Sequence, residues 1–215
     1  MTRQSMEEVV SPMIEVARLM TSRRWCREAS GNISMIIEGE IEVWDADPIV
    51  FDTNLFLPQL EGKLILMTRS GSHISDIPEA PEEEMGLYLA GKWGRYLTLI
   101  WGAGAPTSEY LSHLLIYSAD RTRTRAVIHS HMEVLEDLGQ GSETLSAFLP
   151  DWIGWVPRLP PGSLDLARAT VQEMGRYDLM YWEGHGIVAP GKGVDDCLSR
   201  LERFEEWARA LLIDM

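Results

Sequence analysis

Three small or apolar residues, Ala126, Val127 and Ile128, lead straight into His129-Ser130-His131. A short apolar run of this kind reads as a buried strand. Side chains two residues apart on a strand share a face, so His129 and His131 are expected side by side at the strand's end. This constrains the fold more than any other stretch. The strand belongs inside a sheet, and its end must open onto a place that accepts two imidazoles. Neutral imidazole is a ligand for zinc and its neighbours, and a catalytic zinc site takes three protein ligands and leaves a position open. Taken alone, the pair is a weak signal that two solvated histidines at a strand end explain better than a metal.

Other stretches bear on the choice. Ser30-Gly31-Asn32 precedes the strand-like Met35-Ile36-Ile37, and Thr68-Arg69-Ser70-Gly71-Ser72 follows the apolar strand Leu64-Ile65-Leu66-Met67. Each suits an ordinary turn whose glycine permits positive φ. Each also offers the free N–H groups and hydroxyls that hold phosphate. Pro106-Thr107-Ser108-Glu109 opens a helix reaching about Ser118, capped by Thr107 or Ser108, with Leu111, Leu114, Leu115 and Ser118 inward. Glu109 falls in its first turn, where the macrodipole favours a carboxylate; the functional reading points it at the metal. His113 is expected to make a structural hydrogen bond. Late in the chain, a strand over residues 178–182 ends in Gly184-His185-Gly186, where flanking glycines leave room for a ligand on the imidazole.

The remaining segments read as scaffold. Ser11 and Pro12 look like the cap and first position of a helix carrying Met13, Ala17 and Met20 inward. Arg23, Arg24 and Arg27 read as a solvated face, and Glu82-Glu83-Glu84 as a solvated rim. Between residues 38 and 62 the pattern predicts an edge strand at 41–44 and otherwise surface loop. Strands are expected at 85–90 and 95–101 around a tight turn. A helix capped by Ser163 should turn Leu164, Ala167, Val171 and Met174 inward, and a last helix should cover residues 194–212. Repeats, linkers and low-complexity segments are absent from the sequence, which predicts one α/β domain over residues 1–215.

Of the 215 residues 45% are hydrophobic, enough for a substantial core. The formal net charge of −14 disfavours nucleic acid and anionic membranes as partners. A small anion can still be held locally by N–H groups, hydroxyls and a metal. The first residues lack the apolar core of a signal peptide. Two cysteines, Cys26 and Cys197, lie in no metal or redox motif. A reduced cytoplasmic protein is the expectation.

The ordered series Ser-Gly-Asn-Ile-Ser, Thr-Arg-Ser-Gly-Ser, Pro-Thr-Ser-Glu, His-Ser-His and Gly-His-Gly, over residues 23–212, resembles the class II aldolase/adducin family of metal-dependent sugar-phosphate enzymes. Pro106-Thr107-Ser108-Glu109 is most similar to the rhamnulose-phosphate branch. So are Gly141-Ser142-Glu143, Pro150-Asp151 followed by Pro157 and Pro161-Gly162, and Ala169-Thr170-Val171-Gln172-Glu173-Met174. The chain departs from that pattern in being shorter between the histidine pair and Pro150, and at its C-terminus. It also carries Arg69 where the turn commonly has a smaller residue. The resemblance implies an α+β fold, with a central, mostly antiparallel sheet flanked by helices. It implies a divalent metal ion, usually zinc, on His129, His131 and His185, with Glu109 as acid/base. It implies phosphate binding by Ser30, Gly31, Asn32, Thr68, Ser70 and Gly71. It also implies a homotetramer with active sites between subunits, where Glu143 of a neighbouring chain adds a second carboxylate. The implied reaction is reversible cleavage of a ketose 1-phosphate to dihydroxyacetone phosphate and an aldehyde. Alternatives within the family are a fuculose-phosphate type of aldolase, a dehydratase of methylthioribulose 1-phosphate, a sugar-phosphate epimerase and a non-catalytic adducin-like assembly domain.

Overall fold

The computed structural model describes residues 3–41, 49–119, 124–139 and 143–214. Its strands are β1 (Asn32–Ile37), β2 (Ile49–Asp52), β3 (Leu64–Thr68), β4 (Met85–Ala90), β5 (Tyr96–Gly102), β6 (Ala126–Ser130), β7 (Gly154–Val156), β8 (Met180–Trp182) and β9 (Gly186–Gly191). They form one sheet in the order β2-β5-β4-β3-β1-β6-β9-β8-β7. Every neighbouring pair is antiparallel except β7 and β8, which run parallel. The helices are α1 (Met6–Ser22), α2 (Pro81–Glu84), α3 (Tyr110–Ala119), α4 (Glu133–Asp137), α5 (Glu143–Phe148), α6 (Leu164–Met174) and α7 (Val194–Asp214). The mostly antiparallel, helix-flanked sheet is the fold class that the resemblance implies.

β6 and β9 are interior strands of the sheet, and each is buried along its whole length because helices cover both faces. Alternate residues enter two cores. Ala126, Ile128, Ile187 and Ala189 pack with Met13 and Met20 of α1 and with Leu201 and Phe204 of α7. Val127 and Val188 pack on the opposite side with Leu114 and Tyr117 of α3 and Leu166 of α6.

Several expectations change. α1 starts at Met6, not after Ser11. Ser5 and Glu8 form a capping box, so Pro12 lies inside the helix. Pro12 forfeits a helical hydrogen bond, while Val9, Met13, Val16, Ala17 and Met20 bury one face and hold the helix in place. Arg23, Arg24 and Arg27 are not a bare face. Arg23 pairs with Glu202 and Glu205 of α7, Arg24 with Glu133 of α4, and Arg27 with Glu133 and Glu136 of α4. The expected edge strand at 41–44 lies largely outside the described residues. The edge is β2, in the stretch read as loop, because Ile49 to Asp52 find partners on β5. Glu84 is buried rather than on a rim. Glu109 precedes α3 instead of lying in its first turn. The helix itself is buried almost all round, with Leu111 and Leu115 on its more open side. On α6 the fully buried residues are Leu166, Ala167 and Thr170. Among the described residues, no helix is long and apolar enough to cross a membrane.

Candidate active site

The register of β6 on β9 pairs His129 with Val188 and Ser130 with Ile187. That brings the tight turn between β8 and β9, which carries His185, alongside the end of β6. The three imidazoles meet with ring centroids 4.6 Å (His129–His131), 4.8 Å (His129–His185) and 4.9 Å (His131–His185) apart. One ring nitrogen from each lies within 4.8 Å of the others. Gly186 makes the approach possible. A Cβ there would stand 2.5 Å from the Ser130 carbonyl and 2.8 Å from His129 Cε1. Trp182 closes one side, its ring 4.7 Å from that of His129.

The tautomer of His129 follows from its neighbour. Its Nδ1 lies 3.0 Å from the Ile187 carbonyl, which can only accept, so Nδ1 carries the hydrogen and Nε2 presents a lone pair to the cluster. That Nε2 sits 2.8 Å from Nε2 of His131. Burial holds His129 well below the usual imidazole range. Burial, and then the neighbouring His185, push His131 down to about 4 against the pull of Glu109. Both are therefore neutral near pH 7.

Glu109 lies against this cluster. Its Oε1 is 3.1 Å from His185 Nε2, its Oε2 is 3.4 Å from His129 Nε2, and Asn32 Nδ2 donates to Oε2 at 2.9 Å. Burial works against its ionisation. The imidazoles of His129 and His185 and the Asn32 amide outweigh that, so the carboxyl stays well below its ordinary range. Behind Asn32 runs a buried relay. Its Oδ1 is 2.6 Å from His113 Nε2, His113 Nδ1 is 2.6 Å from Ser34 Oγ, and Ser34 Oγ is 2.6 Å from the Tyr117 hydroxyl. Because the Asn32 amide donates to the carboxylate, its oxygen must accept from His113. Nδ1 of His113 then accepts from Ser34, and Tyr117 donates to Ser34. His113 thus has the structural role expected of it.

Three convergent imidazole nitrogens, that of His129 presenting its lone pair, beside an ionised and buried carboxylate, make a donor set that fits a divalent cation. A cavity of ≈190 Å³ reaches Glu109 and all three histidines. Of the expected phosphate residues, Ser30, Gly31, Asn32 and Gly71 line it. Gly31 has φ +78°, and a Cβ there would lie 2.9 Å from the His129 carbonyl. Thr68 does not line it. Its side chain is fully buried, and its Oγ1 bonds the backbone N–H and carbonyl of Ile33, fastening β3 to β1. Ser70 is exposed and is not among the lining residues. The Asn32 side chain is already committed at both ends. Ala29, Arg69, Ser72, Thr107, Ser108 and Pro161 also line the cavity. Ser72 belongs to the turn whose N–H groups and hydroxyls suit phosphate, whereas Thr107 and Ser108, inside the Pro106–Glu109 motif, read from the sequence only as helix caps. Glu143 begins α5, and its side chain lies outside the described residues, as do residues 141 and 142. A second, wider cavity of ≈430 Å³ borders His131, Glu136 and His185.

Residues 11–212 match the profile of the family described as class II aldolase and adducin N-terminal domain. The chain belongs to this family. Rhamnulose-1-phosphate aldolase of Listeria monocytogenes serotype 4b (strain F2365) is 27% identical over 246 aligned residues, covering 100% of this chain and 88% of its own. The enzyme of the same name from Enterococcus faecalis (strain ATCC 700802 / V583) is 27% identical, covering 93% of this chain and 80% of its own. Among solved structures, a sugar-phosphate aldolase from Thermotoga maritima superposes with a TM-score of 0.78 at 25% identity, over 96% of this chain and 94% of its own. An L-fuculose 1-phosphate aldolase, 19% identical with a TM-score of 0.65, over 96% of this chain and 85% of its own, shares the fold. Membership and relatives together make this a class II aldolase-type enzyme, a lyase of carbon–carbon bonds.

Proposed function

We propose that the protein is a metal-dependent class II aldolase that reversibly cleaves a ketose 1-phosphate, of the L-rhamnulose 1-phosphate kind, to dihydroxyacetone phosphate and an aldehyde. One observation carries the reading. A three-histidine cluster and an ionised, buried carboxylate share a cavity with two serine- and glycine-rich turns. His129, His131 and His185 would hold the cation, zinc being our choice. When bound, the cation supplies Lewis-acid stabilisation of the negative charge that develops as the carbon–carbon bond breaks. Glu109 takes a proton from the carbon beside the carbonyl in condensation and returns it in cleavage. The relay through Asn32, His113, Ser34 and Tyr117 holds that carboxylate in one orientation. Gly31, Gly71 and the hydroxyls of Ser30, Ser72 and Ser108 bind the phosphate at a distance from the reacting carbons and so fix the substrate's orientation. Uncharged imidazole ligands would leave the charge of a bound divalent cation uncancelled except by Glu109, so the loaded pocket would attract an anion despite the chain's net charge of −14.

We further propose a cytoplasmic homotetramer in which Glu143 from a neighbouring subunit handles the proton on the substrate's C4 oxygen, the one that becomes the aldehyde oxygen on cleavage. Exposed Ile49, Val50, Phe56 and Trp93 beside the β2 edge support assembly, since they leave an apolar surface to be covered. The reading is tested by release of dihydroxyacetone phosphate from L-rhamnulose 1-phosphate, with and without a strong chelator. Chelator-sensitive release is expected. No release from folded, metal-loaded protein would overturn the substrate assignment and turn the choice to the dehydratase and epimerase chemistries.

A further inference from the structure

Arg69, in the second turn, borders the cavity, and each of its three guanidinium nitrogens has a protein partner. Nη2 pairs with Glu84 Oε1 at 3.1 Å, Nη1 donates to the Ser70 carbonyl at 3.2 Å, and Nε donates to the Glu83 carbonyl. Glu84 is buried, and its other oxygen accepts from the His73 N–H at 2.9 Å. The guanidinium and the carboxylate thus grip both ends of the segment that carries Gly71 and Ser72. The backbone adds to the grip. Ser72 N–H donates to the Arg69 carbonyl at 3.3 Å, and Ser70 N–H donates to the Ala105 carbonyl at 2.9 Å. Gly104 lies against the Arg69 stem, where a Cβ would meet Arg69 Cδ at 3.0 Å.

We infer that Arg69 and Glu84 form a clasp that positions the Gly71-Ser72 turn for the substrate's phosphate, so that Arg69 is a positioning residue rather than a direct anion contact. The inference rests on the phosphate-binding reading of that cavity. A guanidinium with a buried carboxylate on one side and two carbonyls on the others is neutralised where it stands. What it contributes is order in the donors of the turn. Glu109 is held separately, by Asn32 and its relay. Loosening the clasp therefore acts on binding and leaves the proton transfer largely in place.

The two roles for Arg69 predict opposite effects of Glu84→Gln. If Arg69 contacted the anion directly, removing its partner would free a positive charge and tighten binding. If it clasps, the turn loosens and binding weakens. The experiment is calorimetry of inorganic phosphate with the full-length protein, alongside KM and kcat for L-rhamnulose 1-phosphate. Arg69→Gln and Glu84→Gln should each weaken phosphate binding and raise KM by about tenfold, with kcat within about threefold. Arg69→Lys keeps the ion pair, serves as the second variant should Arg69→Gln fail to fold, and should fall between. Phosphate binding by Glu84→Gln as tight as by the parent, or tighter, would overturn the clasp. Absence of phosphate binding by the parent would overturn both the clasp and the cavity's phosphate role. Weakened phosphate binding in both variants of a protein that releases no dihydroxyacetone phosphate would support the clasp while refuting the aldolase substrate.

Discussion

Three imidazoles whose ligand nitrogens lie within 4.8 Å of one another, with a carboxylate against two of them, place the strongest demands on single side chains. His185→Ala should lose bound metal and activity together, at least a hundredfold in turnover. Metal content measured on the purified variant checks this, and full stoichiometry would remove His185 from the ligand set. Glu109→Gln should lower kcat by about 10²–10⁴-fold while leaving the thermal midpoint close to the parent's; near-normal turnover would refute its acid/base role. His113 supplies a pH dependence. Burial pushes it down to about 4, against a pull from Glu109, whereas unfolded histidine titrates near 6.5. The unfolded chain thus takes up its proton first as pH falls. Stability is complete above about pH 6.5 and is lost towards pH 4, by roughly 3 kcal/mol from this one residue. Urea midpoints of chelated protein at pH 7, 5.5 and 4.5 should show that slope, and His113→Gln should lessen it, the depressed His129 and His131 supplying the remainder in the same sense.

Strands and turns carry the next level of constraint. β6 delivers His129 and His131 from one face of its end, β9 sets where His185 lies, and β1 starts with the Asn32 that holds Glu109. Gly31 joins the first turn to β1 with φ +78° and contacts the His129 carbonyl. Gly31→Ala should destabilise the protein by about 1–3 kcal/mol, since positive φ and a Cβ 2.9 Å from that oxygen both oppose the substitution. Chemical denaturation measures the loss. A change below about 0.5 kcal/mol would mean that the turn relaxes freely.

At the scale of the whole molecule, apolar side chains gather on one corner of the sheet. Ile49, Val50 and Phe56 are more than half exposed, and Phe56 lies 6.0 Å from the ring of Trp93. On the tetramer proposal, light scattering should give four times the mass of one chain. Phe56→Glu, if this corner is part of the contact, should shift the protein to smaller species without unfolding it. An unchanged mass for that variant would place the contact elsewhere.

The sequence by itself determined the strand that ends in His129 and His131, the Gly-His-Gly turn, both serine- and glycine-rich turns and the antiparallel fold class. Each rests on local periodicity or on an ordered set of short motifs. It did not determine which hydroxyls face the cavity. Thr68 turns to the backbone of Ile33, Ser70 faces solvent, and Ser72 and Ser108 line the pocket instead. Nor did it show that Asn32 holds Glu109, that Glu84 is buried beneath Arg69, or that Pro12 lies within α1. Periodicity records which face of an element is apolar. It carries no record of pairings such as Asn32 with Glu109, 77 residues apart in the chain, or Arg69 with Glu84, on separate elements. Only the packed sheet, through its register and the burial that forces every polar group to find a partner, decided those.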